Sequence, residues 1–185
     1  MTMTSVCPLG RARERAFRLY APGFDAGQPR KVGTKRARRA ASAGVARSGH
    51  RQLPLPHTTD RVLEAWGPDR ATYLSEALLA LVEIFAEVPD RATADVLALG
   101  APADGAQDVL VSLLEEVIDV VDALGVVPVR FHLAEAEDGS LAGDMEVVPT
   151  SDVELVGPVP KGVSYHALEI AASDGGWRCR VLVDV

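Results

Sequence analysis

The chain has 185 residues, 48% of them hydrophobic, and a formal net charge of −7, which suits one domain with a proper core and excludes two substantial ones. That charge is divided: residues 1–52 sum to +10 and residues 53–185 to −17. An acidic body repels phosphate, so residues 53–185 are excluded as an autonomous nucleic-acid grip, and a protein partner or a cation is the expected ligand.

Residues 1–49 are Arg-rich, with Lys35-Arg36-Ala-Arg38-Arg39 at their centre and few large apolar side chains. Such a composition cannot offset its ordering entropy, and a disordered basic tail is expected. A start assigned too early, an RNA-attracting arm and an organelle-targeting presequence remain alternative readings of this segment. No long apolar run and no apolar signal core occur, and the two cysteines, Cys7 and Cys179, form no framework, so a reduced, cytoplasmic protein away from membranes is expected.

The folded part is expected over 50–185. Leu53-Pro-Leu-Pro56 is extended because proline fixes φ and biases its predecessor away from helix. Val62–Trp66 reads as a strand closed by Gly67-Pro68. Asp69 is an N-cap for a helix over 70–88, whose apolar residues Leu74, Leu78, Leu81, Phe85 and Val88 recur at helical spacing. Residues 93–99 form a strand, and 106–124 a second helix with an acidic outer side, stopped by Gly125. Strands follow over 126–134, 140–148, 162–172 and 177–185, separated by the turn Asp138-Gly139, a loop over 149–160 and the turn 173–176. Tyr165 and His166 fall on alternating faces of their strand, so one of them is expected in the core. The pattern predicts an α+β, two-layer sandwich: one mostly antiparallel sheet with two long helices on one face.

Two carboxylates draw attention. Asp60 closes His57-Thr58-Thr59-Asp60 near the start of this region, and Asp184 sits next to Val185 on its final strand. Brought together, they repel unless a cation or a proton intervenes, and carboxylate with carbonyl oxygens suits Ca²⁺ or Mg²⁺. Taken singly, Asp60 could equally be a turn or cap residue and Asp184 a solvated end. Lys161, the sole lysine beyond Lys35, reads as a solvated loop residue or as a point charge for phosphate. No nucleophile triad, phosphate-binding Gly loop or zinc spacing is present.

Three motifs in order resemble archease: His57-Thr58-Thr59-Asp60, then Lys161-Gly-Val-Ser-Tyr165-His166, then Val181-Leu-Val-Asp184-Val185. The resemblance covers about residues 50–185. Thr59 stands where the family usually has alanine, and the 150–160 loop lacks the usual histidine-containing segment. The resemblance implies an accessory protein, not an enzyme, that promotes guanylylation and multiple turnover of a GTP-dependent RNA ligase in tRNA splicing or RNA repair. It implies Ca²⁺ (or Mg²⁺ or Mn²⁺) held by Asp60, Asp184 and Val185, with Lys161 and His57 as partner or nucleotide contacts. The ligase is then the partner, tRNA is engaged only indirectly, and no small-molecule substrate is expected. Two alternatives stand beside it. One is a chaperone-like modulator of an RNA-modifying methyltransferase; the other is an independent metal-dependent hydrolase using His57, Asp60, His166 and Asp184.

Overall fold

The computed structural model describes residues 47–56, 58–87, 95–101, 105–173 and 175–185. The expected basic tail lies, up to residue 46, outside the described residues. Strands β1 (Gly49–Pro54) and β2 (Arg61–Gly67) lead into helix α1 (Arg70–Val82), the short β3 (Ala86–Glu87), β4 (Asp95–Ala101) and helix α2 (Ala106–Leu124). Strands β5 (Val126–Glu135), β6 (Leu141–Pro149), β7 (Glu154–Leu155), β8 (Gly162–Ser173) and β9 (Gly176–Asp184) complete the order, with a 3-10 turn at Thr150–Asp152.

The fold of the described residues is α+β, with two α-helices and antiparallel strand pairs. Among the described residues the strands form three sheets rather than one: β1-β2-β9-β8, β4-β6-β5 and the small β3-β7 pair. The helices span the two larger sheets: α1 packs on β5 as well as on β1, β2 and β9, and α2 packs on β8, β4 and β5. The core lies between. Leu63, Ala65, Cys179, Val181 and Val183 of the four-stranded sheet are buried with Tyr73, Leu74, Ala77, Leu78 and Leu81 of α1 and with Leu110, Leu113, Leu114 and Val117 of α2. The thiol of Cys179 belongs to that core, and burial pushes its pKa up to about 12, so it is not a nucleophile.

The start of the first helix and the stop of the second follow the expected chemistry. Asp69 accepts a hydrogen bond from the Thr72 N–H at 2.8 Å, and Gly125 takes the left-handed conformation with φ 63° at the end of α2. The first helix, expected to reach residue 88, ends at Val82. The chain turns tightly there, with Ile84 N–H on the Leu81 carbonyl at 3.3 Å and Phe85 N–H on that of Val82 at 3.1 Å. The apolar spacing was a core signal: Ile84 and Phe85 are 9% and 1% exposed, although neither is helical. Magnitudes favour the turn. Helix propensities differ by at most about 0.7 kcal/mol per ordinary residue, whereas burying a phenylalanine stabilises by roughly 1.5–3 kcal/mol. The turn also frees Ala86 and Glu87 to pair with Leu155 and Glu154, inside the stretch expected to be loop.

No helix among the described residues is long and apolar enough to cross a membrane.

Candidate cation edge

One end of the four-stranded sheet gathers the ends of three strands. Arg61 opens β2 and pairs with Val183 of β9, while Gly162 opens β8 and pairs with Asp184. Asp60 directly precedes Arg61 and Asp184 directly follows Val183, so continuing that register by one step would set the two carboxylates opposite each other. The Thr59 hydroxyl donates to the main-chain oxygen of Val185 at 2.9 Å, and the Lys161 N–H donates to the Asp184 carbonyl at 2.9 Å. The edge is thus stitched by a side-chain bond across 126 residues of sequence and by a backbone bond between the approach to β8 and the end of β9.

Asp60 is half-buried, Asp184 and Lys161 are exposed, and Val185 is 7% exposed. The Arg61 guanidinium folds back to donate to the carbonyls of Thr59 at 3.0 Å and Asp60 at 3.4 Å. His57 lies outside the described residues. His166 is exposed on β8, four residues beyond Gly162. Among the described residues no three His, Cys, Asp or Glu side chains converge as a metal cluster. A cation here would therefore draw on two carboxylates and the Val185 oxygen, an all-oxygen set that suits a hard ion and leaves half or more of a six- to eight-oxygen calcium sphere to water or to a partner.

Two contacts went unread in the sequence. Thr59, a departure from the resembled pattern, makes the bond to Val185 that an alanine could not make. Arg61 follows Asp60 directly, and its return onto the Thr59 and Asp60 carbonyls depends on where the strand begins. Only the adjacency of a cationic residue to an acid hinted at it.

Comparison with known proteins bears on these residues. Residues 54–185 match the Archease protein family (MTH1598/TM1083). The chain belongs to the archease family. It is 37% identical over 138 residues to a probable protein archease found in two Mycobacterium tuberculosis strains, CDC 1551 / Oshkosh and ATCC 25618 / H37Rv, covering 75% of each chain. Two solved structures share the archease fold. Methanobacterium thermoautotrophicum protein 1598, solved in solution, aligns with a TM-score of 0.58 at 20% identity over 74% of this chain and 99% of its own. The crystal structure of an archease, possible chaperone (TM1083), from Thermotoga maritima aligns with a TM-score of 0.51 at 19% identity, over 72% and 96%.

Proposed function

We propose that this archease-family chain is an accessory protein that promotes guanylylation and multiple turnover of a GTP-dependent RNA ligase in tRNA splicing or RNA repair. It acts through a divalent cation, Ca²⁺ or in its place Mg²⁺ or Mn²⁺, held by Asp60, Asp184 and Val185. The observation that carries this reading is the contact between the two ends of the folded region, the 2.9 Å bond from the Thr59 hydroxyl to the Val185 oxygen beside the Arg61–Val183 pair. It brings the segments that carry Asp60 and Asp184 to one end of the sheet, and an oxygen-only donor set with an incomplete sphere would suit a docking edge shared with a second protein. Lys161 and His57 would serve as contacts to the partner or its nucleotide. No chemistry of its own is assigned to the chain.

The test is ligase guanylylation with purified proteins. Asp60→Ala and Asp184→Ala should each retain the wild-type far-UV spectrum and lose most of the stimulation. Undiminished stimulation by both variants removes the cation edge from the mechanism. A chaperone reading, suggested by the description of the Thermotoga maritima relative, predicts instead that both variants still suppress aggregation of a client protein.

A further inference from the structure

Strand β8 leaves its partner between Ser164 and Glu169. These two residues pair with Leu182 and Arg180, so residues 165–168 stand against Val181 alone. Four residues opposite one push the main chain out of the sheet as a wide bulge. Within it Ala167 holds φ 59°, the one non-glycine residue with positive φ among those described. Neither Tyr165 nor His166 enters the core as strict alternation predicts; both are exposed.

The bulge is pinned. Leu168 is buried and its carbonyl accepts from the Gln107 side-chain amide at 3.2 Å, the His166 N–H donates to the Ser164 hydroxyl at 3.1 Å, and the Tyr165 hydroxyl donates to Asp108 at 3.2 Å. Gln107 and Asp108 belong to the first turn of α2. Tyr165 nonetheless stays 56% exposed, more than any other large hydrophobic side chain described. An aromatic side chain already fixed in place loses little conformational freedom on contact, and tyrosine is enriched among the residues that dominate protein interfaces.

The electrostatics select the kind of contact. Desolvation, the Asp108 hydrogen bond and the charges of Asp108 and Glu115 together push the phenol's ionisation to higher pH. Both acids lie on α2, Asp108 in contact with the phenol and Glu115 about two turns further along the same helix. Negative charge there repels a phosphate backbone and attracts a cationic side chain, which can also lie over the ring face.

We propose that the bulge Tyr165–Leu168 is a docking point for a partner protein that seats an arginine or lysine side chain on the Tyr165 ring, flanked by Asp108 and Glu115. The identity of the partner rests on the accessory-protein reading above; the chemistry of the contact does not. The experiment measures the affinity of the full chain for the GTP-dependent RNA ligase and, separately, for a short arginine-containing peptide. Tyr165→Ala should weaken ligase binding roughly tenfold. Glu115→Lys should weaken it and slow association at low salt. Tyr165→Phe, which keeps the ring, should bind nearly as wild type. Circular dichroism checks that each variant folds. Wild-type affinity retained by Tyr165→Ala overturns the docking point while leaving the ligase reading intact. If the wild-type chain does not bind ligase, that reading fails. The peptide then decides: loss of its binding in Tyr165→Ala upholds the bulge, and unchanged binding overturns it.

Discussion

His50 presents both ring nitrogens to carboxylates, Nδ1 to Glu76 at 2.7 Å and Nε2 to Glu83 at 3.0 Å. Carboxylates only accept, so the full pair of bonds needs both nitrogens to carry protons, and the bridge is complete only as imidazolium. Burial opposes that charge, but the hydrogen bonds and charges of Glu76 and Glu83 outweigh it and raise the pKa above its ordinary 6.5. Glu76 lies on α1 and Glu83 is the residue that caps its C-terminal end, and the residue opposite His50 on β2 is the uncharged Ala65. A raised folded-state pKa means the folded protein binds the proton more tightly than the unfolded chain. The contribution is therefore complete below about pH 6.5 and is lost as pH rises through the raised value. Urea unfolding from pH 5.5 to 9 should show wild-type stability falling across that window relative to His50→Asn. Parallel pH profiles of the two proteins would remove the bridge as the cause. Nothing in the sequence points to it, because the partners stand 26 and 33 residues away.

At the scale of elements, the turn after α1 and the β3-β7 pair depend on one close approach. The N–H groups of Val156 and Gly157 both donate to the Phe85 carbonyl, at 2.9 and 3.4 Å, and a Cβ on Gly157 would stand 2.6 Å from the Ile84 carbonyl oxygen. That contact is backbone and cannot swing aside. Gly157→Ala should destabilise the fold by about 1–3 kcal/mol, the usual cost of overpacking. Calorimetry or denaturant melts measure it, and a melting temperature equal to wild type shows that the crossing can relax. The start of α1, the stop of α2 and much of the strand alternation were legible because capping and period-two burial are local. The end of α1 was not, because Ile84 and Phe85 keep helical spacing while serving the core from a turn. Pairing with a segment near residue 155 decides between the two, and no local signal reports it. The bulge at 165–168 was hidden for the same reason: a run of strand-like residues does not state how many of them its partner will match.

The whole molecule closes a sheet in which β2, near the start of the described chain, pairs with β9 at its end. A cation joining Asp60 to Asp184 would bind the folded chain and not the unfolded one, since unfolding separates residues 60 and 184. Saturation to a hundred times the dissociation constant would then add about 2.7 kcal/mol. Added Ca²⁺ should raise the melting temperature of wild type, chelation should reverse the rise, and Asp184→Ala should abolish it. A wild-type melting temperature indifferent to Ca²⁺, Mg²⁺ and Mn²⁺ alike discards the site. The sequence by itself determined the α+β class, the two amphipathic helices, the acidic body and the family motifs, because each depends on local spacing or on composition. Only tertiary structure decided that strands expected in one sheet divide among three, that α1 yields its last residues to a turn, that Thr59 bonds Val185, and that Tyr165 stands outside the core. Those outcomes depend on contacts between residues far apart in the chain, where the burial and pairing gained on folding outweigh local preference.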